Sequence, residues 1–215
     1  MYKNDLMYIS EHYTKEEYLR LELDSENIDE DKLRKAVMIF EDRIKGRFLD
    51  QINILSGNDN SIIQQDSNFA KIYKNGFSIM ALECLLIETF QQFHDGLNDN
   101  NRCSSDNYCE FLSEAFPEVF GNDEKKTVAR SFYTNIRCGI LHQAQTKGKH
   151  ALTVGNDEPV KIVSGVLFVS VDKIIEMVNR YFERYCGILN SRTNTKEEKD
   201  LKVNFIKKMD FICKK

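Results

Sequence analysis

Ile79-Met80-Ala81-Leu82-Glu83-Cys84-Leu85-Leu86-Ile87-Glu88-Thr89-Phe90 predicts a helix that is apolar on most sides. Phe77 extends the pattern backwards, and the helix is expected over about 74–94. A helix apolar around most of its circumference needs neighbours on most of its circumference, so it reads as the central member of a bundle. The only two prolines, Pro117 and Pro159, fall at segment boundaries, which leaves long uninterrupted helices possible elsewhere.

Working outward, Leu33, Val37, Phe40, Ile44, Phe48, Ile52 and Leu55 recur at three- and four-residue steps. They predict a helix over 29–55 with Asp29 as its cap and the polar run 56–61 as its end. The stretch 5–24 is weakly periodic and is expected to be helical in part. Residues 95–101 read as a polar loop. Asp106 is expected to cap a short helix that runs to Phe116, before Pro117. Asp123 is expected to cap a helix over 123–145 with a buried stripe of Val128, Ala129, Phe132, Ile136, Gly139 and Ile140.

After Lys147 and Gly148 the apolar period shortens. Residues 151–154 and 160–163 predict two short strands around the turn 155–159, and 166–169 extends them into a third. Two helices follow, one from Asp172 to about Leu189 and one over 195–213 with Leu201, Phe205, Met209 and Ile212 on one stripe. The expectation is a mostly α fold, a helical bundle with a small β-hairpin inserted late in the chain. It is read as one domain over 1–215: an N-terminal extension 1–28, a core bundle 29–190 and a C-terminal helix 191–215. The lysines of that last helix, Lys207, Lys208, Lys214 and Lys215, are expected to form a solvated face.

Composition narrows the functional classes. Charged residues make up 30% of the 215 positions, and the mean hydropathy is -0.48. No apolar run approaches the roughly 18 residues of a membrane span, and Met1-Tyr2-Lys3-Asn4-Asp5 has none of the apolar character of a signal peptide. Cys84, Cys103, Cys109, Cys138, Cys186 and Cys213 have no CxxC spacing, so reduced thiols in a cytoplasmic protein are expected. His12, His94, His142 and His150 are scattered, with no pair at i,i+4, and no phosphate-binding glycine loop or GxSxG elbow is present. Neither a metal nor another cofactor is expected.

A net charge of -4 argues against a surface that coats nucleic acid. The balance reverses locally, however: Lys125, Lys126, Arg130, Arg137, Lys147 and Lys149 lie in an interval, 125–150, that contains no acidic residue. Within it Arg137 supplies a permanent cation whose planar fork fits phosphate, and His142 supplies a group that exchanges protons near neutral pH. Five positions separate them, or about 140° around an α-helix. They therefore flank one helix face instead of stacking, and a phosphate touches both only if Arg137 reaches round or a second copy of the helix faces the first. Cys138 and His142 stand at i,i+4, but no oxyanion donor accompanies them, so a thiol nucleophile is disfavoured.

The stretch Phe132-Tyr133-Thr134-Asn135-Ile136-Arg137-Cys138-Gly139-Ile140-Leu141-His142-Gln143-Ala144-Gln145-Thr146 resembles the signature of the HEPN superfamily, an R-x(4–6)-H motif on a late helix of a compact α-bundle. The likeness is sharp over these fifteen residues and architectural over roughly 30–190. It implies a metal-independent endoribonuclease of prokaryotic toxin–antitoxin, abortive-infection or antiviral defence systems. Such enzymes work as homodimers with both Arg/His pairs lining one cleft. By this resemblance Arg137 and His142 are the catalytic pair, RNA is the substrate, and an antitoxin or another defence protein is a possible partner. Cys138 occupies a position where many members carry Asn, Asp or His.

Glu88, near the polar edge of the central helix, is a candidate to orient Arg137, as Glu83 is to approach it. Tyr133, one turn before Arg137, is a candidate to hold it. Arg130, Gln143, Thr146 and Lys147 are candidates for RNA contact, against a reading in which 143–147 simply terminate the helix. The competing functional class is a catalytically silent helical module that binds RNA, a nucleotide or a partner protein.

Overall fold

The computed structural model describes residues 1–3, 6–57, 68–97, 104–121, 123–192 and 195–214. Parts of several expectations fall outside the described residues: the turn residues 58–61, the loop residues 98–101, Cys103, Lys215, and the side chains of Asp123, Lys125 and Lys126. Within the described residues the protein is mostly α with a small sheet, as the periodicity requires.

A two-residue ladder, β1 (Tyr2–Lys3) with β2 (Leu6–Met7), precedes a short helix α1 (Lys15–Leu19). Thr14 and Glu17 close a reciprocal capping box at its start. Helix α2 (Glu30–Ile44) begins where expected, because the Asp29 carboxylate accepts from the backbone N–H groups of Asp31 and Lys32. The apolar run then continues through a π-helical segment (Lys45–Leu49) into α3 (Asp50–Ser56), so the single expected helix is interrupted without being broken.

Helix α4 (Asn68–Asp95) is the long apolar helix, and it starts six residues earlier than its apolar pattern. Helix α5 (Ser105–Ala115) is capped by Ser104, whose hydroxyl accepts from the Asn107 N–H at 3.2 Å. This corrects the assignment of Asp106, which lies inside the helix and turns its carboxylate to Arg130. Pro117 opens the single turn α6 (Pro117–Phe120), where its missing N–H is harmless.

The segment that carries the Arg/His pair is composite: α7 (Asp123–Ser131), a π-helical segment (Phe132–Arg137) and α8 (Cys138–Gln143). Ala129, Phe132, Ile136, Gly139 and Ile140 are buried as the stripe predicts, and Val128 is half-buried. The sheet that follows has the order β3-β5-β4, built from β3 (Ala151–Thr153), β4 (Val160–Val163) and β5 (Val166–Ser170). The hairpin is therefore β4–β5, turning at Ser164 and Gly165, both at positive φ. β3 pairs in parallel with β5 and not with β4 as the turn at 155–159 suggests. Leu167 and Val169 of β5 are buried and alternate with half-buried neighbours, which makes β5 the natural centre of the sheet.

Helix α9 (Val171–Asn190) follows β5 directly. The Asp172 carboxylate accepts from the Gly155 N–H and from the Ser170 hydroxyl at the helix start. Helix α10 (Lys196–Lys214) opens with a second reciprocal cap, between Thr195 and Glu198. Lys207 is exposed, but Lys208 is buried with its ammonium 5.1 Å from the Phe211 ring centre, which corrects the expectation of a fully solvated basic face.

The chain gathers into two compact units. One comprises 1–50, 89–102 and 182–215. Its core is aromatic: Phe40 lies 4.6 Å from Phe93 and 5.5 Å from Phe205, centre to centre. The Tyr18 hydroxyl donates to Asp210, which fastens α1 to α10. Lys202 is buried there with its ammonium on Glu30 and on the Ser191 carbonyl, the arrangement a buried charge requires. The other unit comprises 51–88 and 103–181, and it contains every residue of the candidate site. Phe120 against Phe132 and Phe111 against Tyr181 form its aromatic core. Among the described residues no helix is long and apolar enough to cross a membrane.

Candidate active site

Arg137 ends the π-helical segment and His142 lies one residue from the end of α8. A π-helical turn inserts a residue into the helical register, and such insertions are frequent at functional sites. It re-aims the residues before it relative to those after it. The angular neighbours expected for the pair from an uninterrupted helix, Thr127, Arg130, Ser131 and Thr134, therefore no longer hold their expected positions. Arg137 and His142, separated only by α-helical residues, keep their offset of about 140°.

The chain reverses sharply after His142. Ala144 adopts the left-handed conformation, φ 54° and ψ 27°, and its N–H returns to the Ile140 carbonyl. The next residues fold back across the helix, where the Lys147 N–H donates to the Asn135 carbonyl at 2.9 Å. Gly139 permits this return. A Cβ there would stand 2.5 Å from the Gln145 carbonyl oxygen and 3.1 Å from the Lys147 nitrogen. The close approach made possible by Gly139 is thus used by the chain itself.

The Arg137 guanidinium is largely enclosed. Its Nη2 donates to Glu88 Oε2 on α4, and the two side chains retain only 15% and 13% of their exposure. The Tyr133 ring lies alongside, 5.5 Å from Cζ, a separation at which a cation is attracted to the ring face. Nη1 reaches Cys138 Sγ at 4.0 Å, and Nε is buried with no hydrogen-bond partner among the described residues. Burial opposes the charge, but the hydrogen bond and Coulomb field of Glu88 outweigh it and raise the arginine's pKa. Arg137 is a fixed, oriented cation.

Two further residues lie close enough to feel this charge, Cys84 and Tyr108. Both are buried, and burial pushes both pKa values up, so both stay neutral. The Tyr108 ring stands 5.2 Å from Tyr133, and its hydroxyl has no partner among the described residues. Sequence reading singled out neither residue for this neighbourhood. Cys84 stands four positions before Glu88 and so shares its side of α4, a signal the sequence does contain. Tyr108 arrives from a separate helix, and no local spacing announces it.

His142 is exposed, and no hydrogen bond or ion pair ties it to the described residues. Gln143 is also exposed. Arg130 is exposed but engaged, with Nη2 on the Asp106 carboxylate and Nη1 on the Ser105 hydroxyl. Thr146 is occupied in the turn, its hydroxyl donating to the His150 carbonyl at 2.6 Å. Lys147 is half-buried beside it. The structure thus gathers Glu88, Tyr133 and Cys138 around the Arg137 guanidinium and leaves His142 on the surface nearby in the chain. Glu83 is not part of that contact. It is fully buried on α4, neither carboxyl oxygen has a hydrogen-bond partner among the described residues, and burial pushes its pKa up to about 8.

Among the described residues no three His, Cys, Asp or Glu side chains converge as a metal site. What the arrangement offers chemically is an oriented cation with an accessible imidazole further along the same composite helix. Compared with protein-family models, curated proteins and solved structures, the chain matches none.

Proposed function

We propose that the protein is a HEPN-type, metal-independent endoribonuclease, with Arg137 and His142 as its catalytic pair and a homodimer as its working form. The observation that carries this reading is the pre-orientation of Arg137 by Glu88 and Tyr133, five positions from an exposed, unengaged His142. A surface arginine of no consequence is usually solvated and mobile. This one is clamped on two sides and built into a π-helical insertion, a device that re-aims side chains.

The reaction needs no group beyond the pair and the substrate. The RNA 2′-hydroxyl oxygen attacks the adjacent phosphorus, a 2′-O–P bond forms, and the bond to the 5′ oxygen breaks. The His142 imidazole accepts the 2′ proton or returns one to the departing oxygen. Arg137 holds the non-bridging oxygens and stabilises the charge they gain in the transition state. The products are a 2′,3′-cyclic phosphate and a 5′-hydroxyl, and DNA, which has no 2′-hydroxyl, is inert. A role in a prokaryotic toxin–antitoxin or antiviral defence system, with an antitoxin or other defence protein as partner, belongs to the same proposal.

One observation favours a second reading. Glu88 already neutralises Arg137, so a phosphate has to compete with a carboxylate for the guanidinium. With Cys138 in place of the usual polar residue, that competition fits a catalytically silent module that binds RNA, a nucleotide or a protein. Cleavage of RNA in excess EDTA by the parent, Arg137→Ala and His142→Ala proteins separates the two readings. The enzyme reading expects cleavage by the parent and a fall of about 10²- to 10⁴-fold in His142→Ala. Equal rates in all three proteins, or none in any, favour the silent module.

A further inference from the structure

Two arginines meet where α2 runs into the π-helical segment Lys45–Leu49. Arg43 Nη1 donates to the Ile9 carbonyl oxygen at 2.6 Å, and Arg47 Nη2 donates to the same oxygen at 2.9 Å. A carbonyl oxygen has lone pairs for both, but it carries no charge to set against theirs. Arg34, Arg130 and Arg137 each face a carboxylate, whereas among the described residues neither Arg43 nor Arg47 does. Asp42 is engaged elsewhere: its oxygens accept the His12 backbone N–H and contact the His12 ring at Nδ1. The Glu11 carboxylate stands beside Gly46 and pairs with neither arginine.

Like charges on successive turns of a helix repel. Arg43 is half-buried, and burial, with the charge of Arg47 second, holds its pKa down to about 10. Each guanidinium commits one donor to Ile9 and keeps the rest. The Arg43 nitrogens that lack a partner are open to solvent, and Arg47 is exposed. Two oriented cations thus stand side by side with unused donors and no counter-ion among the described residues. The π-helical segment includes Arg47, and such segments are frequent at functional sites.

We propose that Arg43 and Arg47 together hold a phosphate monoester, the terminal phosphate of a nucleotide or of a nucleic-acid strand. A monoester brings a charge of about -2 and three acceptor oxygens, enough to answer both cations at once. A carboxylate or an internal phosphodiester brings a single charge and leaves one arginine uncompensated. The planar forks suit phosphate oxygens, and the shared Ile9 carbonyl already holds both side chains, so little freedom is lost on binding. Ile9, Arg43 and Arg47 all belong to the unit of 1–50, 89–102 and 182–215. The inference does not depend on the reading of Arg137 and His142.

Thermal melts of the full chain test the site with inorganic phosphate or 5′-AMP at about 10 mM, adenosine as the control and ionic strength held constant. Phosphate and 5′-AMP are expected to raise the melting temperature of the parent by about 2 °C or more, and adenosine to leave it unchanged. In Arg47→Gln the rise is expected to vanish, while Arg43 still holds the Ile9 carbonyl and keeps the fold. Arg47→Lys keeps the charge without the fork and is expected to show a smaller rise. A second arm separates a free nucleotide from a strand end. Single-stranded DNA labelled at its 3′ end, which has no 2′-hydroxyl to react, is titrated by fluorescence anisotropy with a 5′-phosphate or a 5′-hydroxyl. If the strand end is the ligand, the parent binds the 5′-phosphate form about 10-fold tighter, the worth of one charge-assisted hydrogen bond, and Arg47→Gln binds both forms equally. A melting rise without that preference supports the site and assigns it to a free nucleotide. No rise and no preference in the parent, a rise that adenosine matches, or a rise that persists in Arg47→Gln overturns the proposal.

Discussion

Glu83 shows how much one residue sets the working range of the fold. Its carboxyl is wholly buried with neither oxygen hydrogen-bonded to the described residues, and burial raises its pKa from an ordinary 4.5 to about 8. A carboxyl whose folded pKa lies above its unfolded value keeps its proton longer in the folded state. Its contribution to stability is whole below pH 4.5, declines as the pH rises and the unfolded chain ionises, and is lost by about pH 8. Glu83→Gln, neutral at every pH and of nearly the same shape, is expected to flatten this slope and to raise the melting temperature at pH 8 relative to the parent. Thermal melts from pH 5 to pH 8 check it, and a parallel shift of both proteins at every pH would contradict it. The Glu88 carboxylate, five positions on, has a cationic partner that Glu83 lacks. Their sequence contexts are similar, and only the arrival of Arg137 from another helix separates their fates.

At the scale of elements, the composite helix 123–143 decides whether a site exists. Gly139→Ala would ordinarily strengthen a helix by about 1 kcal/mol. Here the added Cβ meets backbone at 2.5 Å, so a loss of about 1–3 kcal/mol is expected, read from urea denaturation. An unchanged or increased midpoint would show that residues 145–147 do not lie over Gly139.

These elements also mark what was legible in the sequence. The stripe from Ala129 to Ile140, the Asp29 cap and the apolar face of α10 follow from spacing alone, because burial imposes periodicity on the residues that undergo it. The two π-helical segments were not legible, since one inserted residue leaves a three- and four-residue pattern nearly intact. The sheet order escaped for a different reason: a turn at 155–159 looks the same whether its strands pair with each other or with a third. Arg137 and His142 were visible as chemical types at a known spacing. Tyr108 near Arg137 was not, because it arrives from a separate helix, whereas Cys84 shares the Glu88 side of α4 at a spacing the sequence does contain.

For the whole molecule, the account rests on charge placement. A protein of net charge -4 keeps an interval of 26 residues, 125–150, free of acidic side chains, and then supplies the missing carboxylate from another helix, through Glu88. Glu88 orients the arginine and also neutralises it. The most direct measurement is the rate at which the purified parent, at a concentration where it is paired, cleaves single-stranded RNA in excess EDTA, set beside His142→Ala. The account predicts products ending in 2′,3′-cyclic phosphate and a fall of at least 100-fold in the variant. Cleavage that persists unchanged in His142→Ala, or that is abolished by EDTA in the parent, would contradict it.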